Sequence, residues 1–320
     1  MTLNNRTVKV LVIIAVVVIA AGVIAHFSQV KQTNQHLLDL ASQEPDKVME
    51  AMTQLRERGA SIGPRLAPLV QEGQAEAAPR AAWLLGMVGS DAGNAALLSS
   101  LTSKDRVLRI AALQSLGKLR VTDAVAPAGK ILGDTKEKPD VRSAAAYCLG
   151  MIGGEALVGQ LVPPLADHPM PLPPAPPPVP GAPPALPPPP DPTINLRVAI
   201  ATALGTAKLV GGTEALSVSL REDTEPSPEV RVAAAYALGD LGSVAAAEAQ
   251  QRLIAEALAK GLEDKSGDVR IACAYSLGKV TLPTDMERQM SVLLKKAYDD
   301  KHYWARLAAQ TSHSQLMLAD

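Results

Sequence analysis

The sequence predicts an all-α fold, a solenoid of helix pairs behind an N-terminal transmembrane helix. Two observations predict it: a motif of small and apolar residues that returns along the chain, and an unbroken apolar run near the N-terminus. Self-similarity at a period of roughly 20–50 residues is typical of repeat proteins, in which each repeat packs on its neighbours. We expect about seven to eight such repeats.

The recurring motif closes on a Leu-Gly pair. Its clearest copy, residues 140–150, reads Asp-Val-Arg-Ser-Ala-Ala-Ala-Tyr-Cys-Leu-Gly. The closing glycines are Gly86, Gly117, Gly150, Gly205, Gly239 and Gly278. The steps between them are 31, 33, 55, 34 and 39 residues, and the longest step contains a proline-rich tract. Because the residue after a helix often adopts the left-handed conformation, we expect each of these glycines to stop its helix.

The positions nine, five, four, two and one residues before each glycine are small or apolar. These intervals place them on one stripe of a helix. Alanine dominates the stripe, so neighbouring helices can approach closely. Second amphipathic stretches, such as residues 124–132 and 286–297, lie between the copies. The prediction is therefore a repeated unit of helix A, short turn and helix B, with the motif on helix B.

This motif resembles the HEAT-like repeat of the phycobilin-lyase type, written D-x-x-V-R-x-x-A-A-x-A-L-G-x-I/L-G. The resemblance covers most of residues 46–320; five copies are strong, and the copy that ends at Gly86 lacks the arginine. It implies a HEAT-like α-solenoid with divergent terminal caps and with the B helices on the concave side. The fold serves many roles, so the resemblance is poorly specific for function.

The apolar run covers residues 10–25 and follows Arg6 and Lys9. A spanning helix needs ~17–25 apolar residues, whereas a secretory signal has an apolar core of ~7–15 residues and a small-residue cleavage site. We interpret residues 10–27 as an uncleaved signal anchor, with a signal peptide as the alternative. Basic residues favour the cytoplasmic side, so residues 1–9 would be a cytoplasmic tail. The repeats would then face the periplasm from a bacterial inner membrane, or be secreted if the leader is cleaved.

The remaining chain divides into a polar stalk (28–45), a first part of the repeats (46–165), a proline-rich insertion (166–191) and a second part (192–320). Seventeen of the 26 prolines lie between residues 163 and 192. P-x-x-P sequences in this tract would suit a second docking element in polyproline II conformation. A low-complexity spacer is the alternative, because the tract contains no Arg or Lys.

One column of helix B carries four of the chain's eight aromatic residues. It lies three residues before the closing glycine, at the margin of the exposed face. The candidate protein-binding residues are these aromatics and the carboxylates seven residues before the same position: Trp83, Tyr147, Tyr236, Tyr275, Glu76, Asp140, Glu229 and Asp268. Aromatic side chains dominate interface hot spots. In the alternative interpretation, the rings pack on the neighbouring repeat and stiffen the stack.

An arginine stands eight residues before the glycine in five copies. The column consists of Arg109, Arg142, Arg197, Arg231 and Arg270. We expect these guanidinium groups to meet acidic residues or carbonyls in the turns of adjacent repeats, which would form a structural ladder. Anion binding is the alternative role.

Composition and motifs argue against several classes of function. A net charge of −1 and 2% aromatic residues offer neither the basic face nor the stacking platforms of a nucleic-acid-binding protein. The two cysteines, Cys148 and Cys273, fall on buried positions of copies too far apart for a disulfide. The sequence holds no zinc-protease, phosphate-loop or nucleophile-elbow motif.

We therefore expect a non-catalytic scaffold, without cofactor or metal, that binds a protein partner on its concave helix-B face. Two alternatives stay open. One is a bilin-lyase-like enzyme or accessory factor, because some proteins with this repeat attach or detach bilins. The export segment and the lack of any recognisable bilin site make this alternative less favoured. The other alternative is a mechanical spacer in an envelope assembly.

Overall fold

The computed structural model describes residues 5–72, 75–166 and 191–318. All regular secondary structure in these residues is helical, which confirms the predicted fold class, an all-α solenoid. Apart from its first and last residues, the proline-rich insertion lies outside the described residues, and so do its P-x-x-P sequences.

The helices follow one another in pairs, and several helices are preceded by a 3₁₀ turn. They are α1 (Asn5–Asp39), α2 (Pro45–Glu57), α3 (Gly63–Glu72), α4 (Ala77–Val88), α5 (Asn94–Ser100), α6 (Arg106–Lys118), α7 (Val125–Gly133), α8 (Pro139–Ile152), α9 (Val158–Leu161), α10 (Ile194–Thr206), α11 (Thr213–Ser219), α12 (Pro228–Gly242), α13 (Glu248–Gly261), α14 (Gly267–Leu277), α15 (Thr284–Lys296) and α16 (Tyr303–Leu318). The motif lies on the even-numbered helices from α4 to α14, which are the B helices; the odd-numbered helices are the A helices.

Tertiary contacts divide the chain into two compact units, residues 1–115 and 116–320, and the division falls within α6. In the first unit, α1 packs on α2, and α3 packs on α4 and α5. In the second unit, successive B helices from α8 to α16 pack on one another. Because α8 and α10 flank the insertion and are in direct contact, the stack of the second unit continues across it.

The core of each unit is the stripe that the spacing predicts. The leucine before the closing glycine is fully buried in every copy: Leu85, Leu116, Leu149, Leu204, Leu238 and Leu277. The positions nine, five and four residues before the glycine are buried as well, and most of them are alanine. Since protein interiors are close-packed, this run of small side chains brings neighbouring helices close together.

The closing glycines have a different role from the predicted one. None of the six has a positive φ, so the expectation that they stop their helices in the left-handed conformation is wrong. A Cβ added at Gly205 would lie 2.7 Å from the Cα of Ala237 on the next B helix. A Cβ added at Gly150 would lie 2.8 Å from the Cα of Ala203. In five of the six copies, a Cβ at the glycine would thus lie 2.7–3.0 Å from a Cα atom of the next B helix, so a side chain there would strike backbone.

The left-handed residue comes three positions later, because the helix continues for almost another turn. It is found in four copies, at Gly89, Arg120, Gly153 and Lys208. Two of these four residues are not glycine, although only glycine adopts this conformation without strain. The chain reversal after helix B therefore uses a fixed position rather than a fixed residue type.

Helix α1 has 35 residues. The part from Val16 to Asp39 is long and apolar enough to cross a membrane by length and composition, and no other helix in the described residues is. The apolar side chains from Val16 to Val30 are all exposed; Ile24 and Phe27, for example, are 71% and 69% exposed. Continuous exposed apolar surface of this kind is typical of a helix in contact with lipid.

Residues 28–39 continue α1, although the sequence suggested a separate polar stalk. Thr33 and Leu40 are buried, and Arg80 of α4 donates hydrogen bonds to the carbonyl oxygens of Leu40 (2.6 Å) and Ser42 (3.0 Å). Gln29, Gln32, Asn34 and Gln35 of this segment are exposed. The end of α1 therefore serves as the A helix of the first pair, with α2 as its partner.

Candidate protein-binding face

The predicted tyrosines lie on the exposed face of the B helices in the second unit. Tyr147, Tyr236 and Tyr275 are 37%, 40% and 45% exposed. The rings of Tyr236 and Tyr275 meet edge to face, with centroids 5.8 Å apart. Tyr236 and Tyr275 therefore fit both interpretations of the sequence: their rings contact each other across neighbouring repeats and still present much of their surface to solvent. In the first unit, Trp83 is half-buried.

Tyr275 is also in contact with a charged pair. The Nζ atom of Lys279 lies 4.8 Å from the centre of the Tyr275 ring and 3.1 Å from the Asp240 carboxylate. A cation above an aromatic ring is attracted by the ring quadrupole. Lys279 thus fixes this ring and joins α12 to the end of α14.

A groove of about 630 Å³ follows the tyrosines across the last three B helices. Its walls are mainly apolar and aromatic: Tyr236 from α12, Ile271 and Tyr275 from α14, and Trp304 and Leu307 from α16. Trp304 is 59% exposed and Leu307 is 40% exposed. Exposed apolar side chains that adjoin one another in this way are typical of an interaction surface.

The sequence motif did not find Trp304, because α16 has no Leu-Gly pair. The structure shows that α16 is a further copy in which Ser314 takes the glycine position: a Cβ at Gly278 would meet Ser312, two residues before it. Arg306 then stands at the arginine position, eight residues before Ser314. Ala305 and Ala309, which are buried, stand at the positions nine and five residues before Ser314, so they and the arginine were the available signals in the sequence.

A smaller groove of about 300 Å³ adjoins the first between α10 and α12. Val198, Thr202 and Val232 line it, together with Glu229 and Tyr236. Because Tyr236 borders both grooves, the apolar surface is continuous from α10 to α16.

The four predicted carboxylates, Glu76, Asp140, Glu229 and Asp268, are all exposed. Glu229 and Asp268 lie in the first turns of α12 and α14, so they form one edge of the face described above. Ser227 donates a hydrogen bond of 2.6 Å to Glu229, and this bond lowers the pKa of the Glu229 carboxyl. Acidic residues in a first helical turn also stabilise the helix. The carboxylates therefore support their helices and give the edge of the face a negative charge.

Three members of the arginine column, Arg197, Arg231 and Arg270, each connect one repeat of the second unit with the next. Arg231 binds both carboxylate oxygens of Asp264 at 2.8 and 3.0 Å, and Arg270 binds those of Asp300 at 2.6 and 2.8 Å. In addition, Arg270 donates to the carbonyl of Asp264, and Arg306 donates to that of Asp300, at 2.8 and 2.7 Å. Each acidic turn is thus held by two arginines, one from its own repeat and one from the repeat before.

Arg197 is the most buried member of the column. Its side chain is fully buried, and it binds the Glu225 carboxylate at 2.8 and 3.1 Å and that of Asp191 at 2.9 Å. Glu225 also accepts a hydrogen bond from the backbone amide of Ser227 at the start of α12. In the copies before the insertion, Arg142 and Arg109 donate to the carbonyls of Leu132 and Ser103.

One polar cluster was not visible in the sequence. His313 on α16 is hydrogen-bonded through Nε2 to the Ser291 hydroxyl and through Nδ1 to the Tyr298 hydroxyl, both at 2.8 Å. A serine beside a histidine resembles a nucleophile with its base. The cluster lines none of the grooves described above, however, so its role in the described geometry is to join α15 to α16.

Both cysteines are free and fully buried. Burial raises the pKa of the Cys148 thiol to about 12, and it raises that of Cys273 as well. A thiol needs its thiolate form to react, so neither group is a candidate nucleophile. Among the described residues, no group of three His, Cys, Asp or Glu side chains could hold a metal ion.

Comparison with known families agrees with this architecture. The family model of HEAT repeats matches residues 94–169, and that of the PBS lyase HEAT-like repeat matches residues 230–264. This chain is a HEAT-repeat protein. The matched segments contain the motif copies that close at Gly117, Gly150 and Gly239. No curated protein matches the chain.

Several solved structures are similar to this HEAT-repeat protein. A crystal structure of an engineered protein is 19% identical over 88% of this chain and 77% of its own, with a TM-score of 0.51. The CpcE–CpcF complex of phycocyanin lyase from Nostoc sp. is 18% identical over 89% and 94%, with a TM-score of 0.36. A designed armadillo repeat protein bound to the peptide (KR)4 is 16% identical over 88% and 98%, with a TM-score of 0.38. Of these, the engineered protein supports the fold, and none of them assigns an activity.

Proposed function

We propose that this protein is a non-catalytic scaffold that binds a protein partner on the exposed face of its B helices. A HEAT-repeat solenoid is suited to protein interaction, because stacked helix pairs present an extended surface. The observation that carries the proposal is the continuous apolar surface from α10 to α16, with half-exposed Tyr236 and Tyr275 at its centre. Aromatic side chains of this kind supply much of the binding energy of protein interfaces.

The proposal includes an anchor in a bacterial inner membrane. Helix α1 would span the bilayer once, with Arg6 and Lys9 in the cytoplasm and the repeats in the periplasm. Because α1 runs without a break into the first helix pair, an uncleaved α1 would hold the repeats close to the membrane surface. The proline-rich insertion would be a second docking element.

Affinity capture from native membranes tests the scaffold with two matched variants. The first removes exposed tyrosines of the B helices: Tyr147→Ala, Tyr236→Ala and Tyr275→Ala. The second removes equally exposed apolar residues of the A helices: Val218→Ala, Leu253→Ala and Val292→Ala. Circular dichroism must first show that both triple variants are folded.

We expect a partner that is captured by the wild type and by the A-helix variant, and lost from the B-helix variant. Loss from the A-helix variant alone would contradict the proposed face. A wild type that captures nothing would contradict the scaffold and favour the mechanical spacer. A coloured adduct on co-expression with a bilin would favour the bilin-lyase-like alternative.

A further inference from the structure

The larger groove combines apolar walls with hydrogen-bond donors. Tyr236, Tyr275 and Trp304 border it with half-exposed rings, and Ile271 and Leu307 complete its walls. The tyrosine hydroxyls and the indole N–H of Trp304 can all donate a hydrogen bond. A ligand that brings carbonyl oxygens as well as apolar surface would therefore use both features of the groove.

A polyproline II segment meets this requirement better than a helix does. In an α-helix the carbonyl oxygens away from the C-terminus are used within the helix. In polyproline II there are no internal hydrogen bonds, so every carbonyl is open to a donor. Proline also lacks an N–H, so a proline-rich segment needs no hydrogen-bond acceptor from the groove. An extended strand of other residues would need acceptors for its N–H groups.

The charge of the edge points to a cationic residue in the same ligand. Glu229 of α12 and Asp268 of α14 are exposed and occupy equivalent positions, ten residues before Gly239 and Gly278. In α16 the equivalent position is Trp304. The edge therefore changes from two carboxylates to an aromatic ring along the path of the ligand.

We propose that the groove of α12, α14 and α16 binds a proline-rich segment of a protein partner in polyproline II conformation. Its prolines lie between Tyr275 and Trp304, and an Arg or Lys lies beside Asp268 and Glu229. This inference rests on the proposed scaffold function and names the class of its partner. The chain's own proline-rich tract has no Arg or Lys between residues 169 and 190, so the acidic edge does not select it.

Fluorescence anisotropy tests this with the full-length protein in nanodiscs of zwitterionic lipid. The probe is a fluorescein-labelled peptide of repeated Pro-Leu-Pro-Pro units with one terminal Arg. Three peptides are compared with it: one with Gln for Arg, one with Ser for every Pro, and one with the sequence of residues 171–190. A fourth, an amphipathic helix of Leu and Lys, represents the competing ligand class.

We expect the Arg-bearing proline peptide to bind at least about tenfold more tightly than each of the other four, as the loss of one hot-spot contact would predict. Trp304→Ala and Asp268→Asn should each weaken its binding by about tenfold, and Val292→Ala on the exposed side of α15 should leave it unchanged. Trp304 and Asp268 are both exposed, so neither substitution removes core packing, and circular dichroism confirms the fold.

Other outcomes overturn the inference. If the Ser peptide bound as tightly as the Arg-bearing proline peptide, recognition of proline would be excluded. If the Gln peptide or the peptide of residues 171–190 bound as tightly, a role of the acidic edge in recognition would be excluded. Tighter binding of the Leu/Lys helix would assign a helical ligand instead. If no peptide binds while native capture still depends on the tyrosines, the scaffold function stands and the polyproline inference fails.

Discussion

Replacement of Arg197 by methionine should destabilise the second unit strongly. Methionine keeps most of the side-chain length and removes the charge. Glu225, whose side chain is 2% exposed, would then be buried without the guanidinium that binds both of its oxygens. Loss of one partner from a buried ion pair costs about 3–5 kcal/mol, because the remaining charge has no compensation. For a unit of this size, that corresponds to a fall in Tm of roughly 6–20 °C.

Arg252 provides the matched control. It binds Glu248 and Asp285 with similar distances, but its side chain is 38% exposed. Solvent-exposed ion pairs contribute about 0–1 kcal/mol, so Arg252→Met should change the free energy of unfolding little. Urea unfolding followed by circular dichroism measures both variants. A cost for Arg197→Met no larger than that for Arg252→Met would refute the argument.

The double variant separates the charge from the packing. If the cost of Arg197→Met comes from the unpaired carboxylate, Glu225→Gln in the same chain should recover part of it. The double variant should then be more stable than the sum of the two single effects predicts, since contacting residues are not additive. Strict additivity would instead attribute the cost to lost packing around Arg197.

Three further predictions follow from the same geometry. Gly205→Ala should lower the free energy of unfolding in urea by about 1–3 kcal/mol, because its Cβ would strike the α12 backbone. Gly159→Ala is the control, since open space surrounds the added Cβ, and it should be neutral or slightly stabilising. Equal effects of the two substitutions would contradict the glycine contact. The hydrogen bond from Arg270 lowers the pKa of Asp300, so this carboxylate stabilises the fold above its unfolded pKa of about 3.9, and the contribution is lost as pH falls through the lower folded value. Asp300→Asn should therefore be less stable than the wild type at pH 7, and the difference should shrink toward pH 2; a constant difference across that range would argue against it. Finally, Ala246 is exposed, whereas Cys148 and Cys273 are buried, so a cysteine placed by Ala246→Cys should be the thiol that reacts with a maleimide. If the repeats lie in the periplasm, a membrane-impermeant maleimide should label this variant in cells whose outer membrane alone has been permeabilised. Labelling only after lysis would place the repeats in the cytoplasm.

The fold was predictable because its signal is local and repeated. Each copy places apolar residues at the same intervals before a Leu-Gly pair, and those positions are the buried ones in the structure. The role of the glycine was not predictable in the same way. A glycine that is needed for a left-handed φ and one that is needed for a close helix contact look alike in a single sequence. The distance from Gly205 to Ala237 distinguishes the two roles of the glycine, and that distance depends on the tertiary structure.

The site was predictable only where it follows the motif. Tyr236 and Tyr275 stand at a fixed position before the glycine, so their exposure followed from helix geometry. Trp304 lies in a copy whose glycine is replaced by Ser314, so the motif offered no closing glycine from which its position could be counted. The His313 cluster joins residues from two helices, so no local pattern could show it.

The two fixed features of the B helices explain why the chemistry of the exposed face is free to vary. The glycine holds one end of each helix against the next, as Gly205 does against Ala237, and the arginine holds the other end, as Arg197 does through Glu225. The positions between them on the exposed side take no part in either contact. A change there alters the chemistry of the surface without altering the helix stack. Thr202 and Tyr236, for example, occupy the same position in successive copies. The repeat motif therefore determines the fold, and the partner specificity that we propose rests on residues that depart from the motif, such as Trp304.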